Sequence, residues 1–431
     1  MTPQTLAEKL LSSAAGRAVR AGELIVCRPD LALGTDGSIP MALDYLAELH
    51  GGSAGAPHDA SRLVFAFDHY DASSGSKALA LQERARRYAR AHGIAVFEMN
   101  EGIGHQRVLE TGRALPGQLV VGADSHSTTY GAMNAFATGI GSSDLAGLMF
   151  CGQMWLKVPA TIAVRLSGRL RAGVAAKDVA LELVGLLRAD GANYRALEFG
   201  GTGIEGLDMD DRIVLANMAV EAGAKVGLFP FDGRTRTYLE ASIGAERASA
   251  LEGVLADDGA TYEQTIEIDL DAVEPMVAMP HRVDRVTRIA ATPVTPIGMV
   301  YLGTCTGGRV KDYREALAVL RSGGGVAAGV RLVVTPASET VRAALESSGM
   351  LREFEALGAE IHAPGCGACC GTCGGTPVGD VRVVSTANRN FKGRMGNPEA
   401  QIYLASPAEC ARAAVSGTLG GAPAATSRAV A

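Results

Sequence analysis

LVFAFDHYDASSGSKALALQERARRYARAHGIAVFEM, residues 63 to 99, reads as strand, helix, strand. LVFAF and AVFEM are short apolar runs rich in Val and Phe, whereas SKALALQERARRYARAHG between them is built from Ala, Leu, Gln, Glu and Arg at helical spacing. Two strands joined by a helix of that length lie parallel, because only a hairpin connection returns the chain antiparallel at short range. The rhythm continues outward. QLVVGA (118–123) follows, then TIAVRL (161–166), a helical AKDVALELVGLLRADG, ALEFGG and a helical DDRIVLANMAVEAGA. GMVYLG (298–303), VKDYREALAVLRSG, VRLVVTP (330–336), SETVRAALESSGMLREFEALGA, EIHAPG and VRVVST make a further block. The fold class is therefore α/β with parallel sheets, in three units bounded near 158 and 285: residues 1–158, 159–285 and 286–431. The segment 253–297, acidic at first and then richer in Pro, reads as a connection, and TLGGAPAATSRAVA (418–431) as a frayed tail.

Composition narrows the function classes. The 431 residues are 47% hydrophobic and 20% charged, a folding composition, and 40 basic against 46 acidic side chains leave a net charge of −6. No long basic block is present, which disfavours a nucleic-acid partner. No run reaches the roughly 18 apolar residues of a membrane span and MTPQTLAEKLLSSAAGR lacks a signal-peptide core, so a cytoplasmic location is expected.

Polar clusters begin where strands end: Asp68-His69 after LVFAF, Asp124-Ser125-His126 after LVVGA, Cys305 after MVYLG, Cys366 after EIHAPG, and Asn388-Arg389 after VRVVST. Parallel sheets bind ligands at the carboxyl ends of their strands, so five such clusters predict one shared cleft. Of the 8 cysteines, Cys27, Cys151 and Cys410 sit in apolar or helical patterns and read as small buried hydrophobes. PGCGACCGTCGG (364–375) is different, with four sulfurs among glycines. A zinc site, a redox thiol pair and part of an iron–sulfur cluster all fit Cys366-x-x-Cys369. Cys305 lies in LGTCTGGR, a strand followed by a Gly-rich turn and a helix, where a helix N-terminus would favour a thiolate.

Together, VGADSHSTTYGAMNAFATGIGSSDLA (121–146), LGTCTGGRVKDYREA (302–316), PGCGACC (364–370) and ANRNFKGRMGNPEAQIYLASPA (387–408) resemble the signature segments of the aconitase superfamily. Weaker matches, AEKLLSSAAG, DHY, GIGHQ, ANMAVEAGA and MVAMPH, keep the expected order, so the resemblance runs from about residue 5 to 415. Length and segment order are most similar to the large subunits of 3-isopropylmalate dehydratase and homoaconitase. The resemblance implies three α/β/α domains around a central cleft, without the swivelling fourth domain of single-chain aconitases. It implies a [4Fe–4S] cluster held by Cys305, Cys366 and Cys369. It further implies three His/carboxylate pairs: His69 with Asp68, His105 with Asp124, and His126 with Glu221, with Ser125 in the same catalytic group. His69 is the expected proton donor to a leaving hydroxyl. Asn217, Asn388, Arg389 and Arg394 fall on substrate-binding positions, Asn217 and Glu221 sharing one helix face. His281, in MVAMPH, is a possible support residue.

The chain departs from the family pattern in places. Cys305-Thr306-Gly307-Gly308-Arg309 replaces the usual Cys-Thr-Asn-Gly-Arg, removing an amide near the cluster. Ser127 stands for the usual Thr, and Pro40 for a Gln of single-chain aconitases, which argues against citrate as the main substrate. Cys370 and Cys373 are additional thiols. GIGSSDLA (139–146) only mimics the serine loop of the missing domain, with Asp144 in place of Arg. The expectation is a hydro-lyase large subunit, active only with a separate small subunit that carries the serine base. The expected substrate is a malate-type hydroxy acid, 3-isopropylmalate of leucine biosynthesis first, then homoaconitate or 2,3-dimethylmalate homologues. A cluster-sensing RNA-binding regulator and a non-catalytic zinc module are the readings from other classes.

Overall fold

The computed structural model describes residues 2–421. Three sheets organise them, together with two small two-stranded ones. The first holds Leu31–Thr35, Leu63–Ala66, Ala95–Phe97, Leu119–Gly122 and Phe136–Gly139, all parallel. In space they run third, second, first, fourth, fifth. The second holds Ala160–Ser167, Arg195–Gly200, Val226–Leu228 and Gln264–Asp269, parallel and again third, second, first, fourth. In the third, Met299–Leu302, Arg331–Val334, Ala359–Ile361, Arg382–Ser385 and Gln401–Leu404 repeat that order. Met276–Ala278 and Val286–Arg288 extend it antiparallel. Each sheet thus reverses its winding between its first and fourth strands, where adjoining connections part and leave a crevice.

Alternation along the strands explains the layers. Leu63, Phe65 and Phe67 enter one apolar core while Val64 and Ala66 enter another. In the third sheet Val300 and Leu302 face one core and Met299 and Tyr301 the other. Both faces are buried, which is why these strands read as continuous apolar runs. The helix expected after LVFAF spans Ser76–His92 and ends on Gly93 at φ 67°.

Several expectations need correction. The supposed connection 253–297 supplies strand Gln264–Asp269 to the second sheet and Met276–Ala278 and Val286–Arg288 to the third. Its charge and proline content hid short strands that are mostly exposed on one side. From the supposed tail, Thr418–Leu419 pairs with Thr295–Pro296 and Leu419 is buried; residues 422–431 lie outside the described residues. Cys27 and Cys410 are buried, but Cys151 is exposed: it closes helix Ser142–Cys151, whose buried side is formed by Leu145, Ala146, Leu148 and Met149. His281 is also exposed.

The central strand of the first sheet, Leu31–Thr35, escaped the sequence reading because Gly34 weakens its pattern. That glycine has a packing reason, since a Cβ there would stand 2.7 Å from Ile39 Cγ1. Among the described residues no helix is long and apolar enough to cross a membrane.

Candidate active site at the meeting of two switch points

Asp36 and Asp124 follow the first and fourth strands of the first sheet; Cys305 and Asn388 follow the first and fourth strands of the third. The two crevices face each other. Ile103 N–H donates to Ala337 O at 2.8 Å and Glu339 N–H to Glu101 O at 2.9 Å, tying the rims together. Gly102 bridges to Ser338 here at φ 130°, and a Cβ on it would lie 2.5 Å from Ser338 Cα. Across the gap, Cys366 N–H approaches Asp68 O at 3.4 Å.

Three imidazoles meet carboxylates. His69 Nδ1 lies 2.6 Å from Asp68 Oδ1, His105 Nε2 lies 2.8 Å from Asp124 Oδ1, and His126 Nε2 lies 2.9 Å from Glu221 Oε1. Burial alone would lower the His69 pKa, but the Asp68 charge and the Asp36 and Asp68 hydrogen bonds raise it well above the ordinary imidazole value. Burial would raise the Asp124 pKa, yet the His105 charge and hydrogen bonds from His105 and His126 hold it well below the carboxylate norm. Glu221 is likewise lowered against burial, by His126 and by Arg389, whose Nε sits 2.9 Å from Oε1.

The pairs differ in what they leave free. Tyr130 Oη lies 2.9 Å from His105 Nδ1, and burial raises its pKa so far that it keeps its proton. Both His105 nitrogens are thus engaged, one with Tyr130 and one with Asp124, and the ring orients Asp124. His69 Nε2 carries no such partner among the described residues, and the ring is 23% exposed.

The sulfurs collect donors. Asn217 Nδ2 reaches Cys305 Sγ at 3.2 Å and Asn388 Nδ2 reaches it at 3.3 Å, while an Arg394 guanidinium nitrogen lies 3.6 Å from Cys369 Sγ. Cys366 packs beside Cys305 against Ile103 and Ala337. Burial, and then the Cys369 charge, push the Cys305 thiol up to about 11; burial and the Asp68 carboxylate push Cys366 well above the thiol norm. So raised, the Cys305 and Cys366 thiols keep their protons; the N–H donors aimed at the Cys305 and Cys369 sulfurs suit thiolates that a bound cation would draw out. Asn388 Oδ1 is also buried with no partner among the described residues. This donor set fits a metal–sulfur group.

Most predicted residues converge here, including Asn217, which is fully buried, and Glu221, at the end of the continuous segment Met209–Met218 and Ala219–Ala222. These two arrive on a helix rather than at a strand end, so the strand-end rule could not find them. Ser125 does not join them: its side chain forms no hydrogen bond among the described residues and lines a cavity of about 430 Å³ with Trp155, Tyr194 and Lys225.

Residues that the sequence reading missed complete the site. Asp36, fully buried, accepts from His69 N–H at 3.1 Å, Tyr70 N–H at 3.0 Å and Gln82 Nε2 at 3.1 Å. Its signal was the same one, an acid directly after a strand. Lys177 is also buried and donates to Thr306 Oγ1, Thr386 O and Ala387 O at 3.2, 2.9 and 2.7 Å, pinning both third-sheet connections; burial lowers its pKa to about 8. At Gly307 a Cβ would lie 2.3 Å from Thr386 Cβ, so Thr386 fills the space a side chain would need.

The aconitase family (aconitate hydratase) matches residues 17–417. The chain belongs to the aconitase family. Among its relatives, the Thermotoga maritima 3-isopropylmalate dehydratase large subunit 1 is 43% identical over 416 residues, covering 96% of this chain and 97% of that one. The Thermus thermophilus homoaconitase large subunit is 43% identical over 420 residues, covering 96% of each. A solved structure, the holo-form of Thermococcus kodakaraensis aconitase X, aligns over 89% of each chain at 14% identity with a TM-score of 0.48.

Proposed function

We propose that this chain is the large subunit of a hydro-lyase that isomerises a malate-type hydroxy acid by dehydration and rehydration, with 3-isopropylmalate as substrate. The observation that carries the reading is the convergence of Cys305, Cys366 and Cys369 with the His69–Asp68 pair on one crevice. Cys366 Sγ lies 3.9 Å from Asp68 Oδ2. Homoaconitate is the second reading, favoured by the equal identity to a homoaconitase large subunit. The three-unit division belongs to the same proposal, with its second boundary moved from near 285 to between Asp269 and Met276 because strand Met276–Ala278 joins the third sheet, as does a cytoplasmic location.

Cys305, Cys366 and Cys369 would hold a [4Fe–4S] cluster, which supplies a Lewis acid for the departing oxygen. The remaining work falls to side chains. His69 is held protonated by Asp68 and Asp36 and delivers its Nε2 proton to the leaving hydroxyl. Asp68 is fixed in turn by the Gly104 N–H, which it accepts at 2.7 Å. Arg389 is oriented by Glu221 and Arg394 lies beside Cys369; their forked guanidinium groups suit substrate carboxylates. His126, bonded to Glu221, and Asp124, bonded to His105, keep the far wall ordered. The base that takes the proton α to a carboxylate comes from a small subunit, which closes the crevice and selects the substrate's side chain.

Anaerobic purification with and without the small subunit tests this. Iron and sulfide should accompany the chain, turnover should be absent for the chain alone and appear on mixing, and a panel of malate homologues should name the substrate. Zinc at one per chain without iron or sulfide, or full turnover by the isolated chain, overturns the reading.

A further inference from the structure

The loop after the candidate cluster ligands contains a second Cys-x-x-Cys, Cys370-Gly371-Thr372-Cys373, whose sulfurs the proposed cluster does not use. Gly371, at φ 75°, turns the chain back so that the two Sγ atoms lie 3.8 Å apart. Both thiols lean on one carbonyl: Cys373 Sγ donates to His69 O at 3.1 Å and Cys370 Sγ lies 3.8 Å from it. Gly374 N–H fastens the loop to Asp71 Oδ2 at 2.8 Å. The pair can be reached, since Cys370 is half-buried, Thr372 is exposed, and a cavity of about 80 Å³ opens on Cys373 between Asp71 and His362.

We propose that Cys370 and Cys373 form a thiol-oxidation site that closes to a disulfide by exchange with a low-molecular-weight disulfide. The half-buried Cys370 sulfur attacks one sulfur of the reagent, forming a mixed disulfide and expelling one thiol. The Cys373 sulfur then attacks Cys370 and expels the second. Two electrons pass from the cysteine pair to the reagent, and the two cysteine protons leave on the released thiols. Bonding draws the sulfurs from 3.8 Å to about 2 Å and removes the S–H that Cys373 gives to His69 O. Oxidation therefore changes how the backbone of the residue assigned above as proton donor is anchored, leaving Thr372 Oγ1, at 2.5 Å, as the donor to His69 O, without breaking a cluster ligand. That consequence rests on the proposed function; the disulfide itself does not.

The cluster-loaded enzyme with its small subunit is incubated anaerobically with oxidised glutathione, denatured with an alkylating agent and mapped by mass spectrometry. A Cys370–Cys373 disulfide reversed by dithiothreitol is expected, with iron content unchanged and activity lowered roughly tenfold, the scale seen when a group orienting a site residue is lost. Cys373→Ser should keep basal activity and trap glutathione on Cys370. Free alkylation of both cysteines after incubation overturns the proposal, as does an equal, iron-linked activity loss in the Cys370→Ser/Cys373→Ser double variant. If no turnover is found in any sample, the peptide map still decides the oxidation site, while iron content and turnover decide the enzyme reading.

Discussion

Asn217 and Asn388 donate to one sulfur, Cys305 Sγ, at 3.2 and 3.3 Å, although one comes from a helix feeding the second sheet and the other from a strand end of the third. They also bond to each other, Asn388 Nδ2 to Asn217 Oδ1 at 3.2 Å. The amide missing at position 307 is thus not missing from the sulfur. Replacing Asn388 by Ala should speed iron loss to a chelator while far-UV circular dichroism stays native, because it removes a charge-assisted donor of about 1.5–3 kcal/mol. Unchanged chelation kinetics would remove the amides from the site.

Cys305→Ser is expected to lose its iron with little loss of folded protein. The residue sits in a connection, and the core strand before it, Met299–Leu302, is untouched. Iron analysis beside a thermal melt checks this; full iron content in the variant would strike Cys305 from the ligands.

His69 has a raised pKa, so its charged form persists above the ordinary imidazole value of about 6.5 and is lost as pH rises through the raised value. The stability this pairing gives follows the same sign: complete below about pH 6.5, gone above the folded-state value. Activity should accordingly fall on the alkaline side. Asp36→Asn should bring that alkaline limb down by roughly one pH unit. A pH–rate profile that Asp36→Asn leaves in place would argue against His69 as the acid.

Lys177→Met keeps the shape of the side chain, removes three donated bonds and leaves Ala387 O without a donor among the described residues, at about 1–3 kcal/mol for a buried orphan, while Thr386 O keeps Thr304 and Thr306. The melting temperature should drop by several degrees, and Lys177→Arg should not recover it, because a fork cannot fit three acceptors around one nitrogen. Calorimetry of the two variants decides.

Gly307→Asn, which restores the usual family residue, should destabilise the chain by about 1–3 kcal/mol through overpacking. Adding Thr386→Gly should recover part of that loss, since the collision at 2.3 Å is with Thr386 Cβ. A denaturant midpoint unchanged in Gly307→Asn would show that the loop simply moves.

Much of this was legible in the chain itself. Strand-end clusters identify Asp68, His69, Asp124, His126, Cys305, Cys366, Asn388 and Arg389 by a rule of parallel sheets alone, because alternating strands and helices put those positions on one edge; the same rule picked Ser125, which lines another cavity. Glu221 needed the family resemblance, and Asp36 was lost with its glycine-containing strand. Periodicity records which face a residue takes within its own element, so it was silent on pairings more than 80 residues apart, such as His126 with Glu221 or Asn388 with Cys305. The apolar patterning by itself determined the layered parallel sheets, since burial on both faces requires it. The relative placement of the sheets decided the chemistry left open by the motifs: which imidazole keeps a free nitrogen, which sulfur receives two amides, and which lysine is sealed behind them. Those are distances between separate elements, and they exist only after the cores have packed.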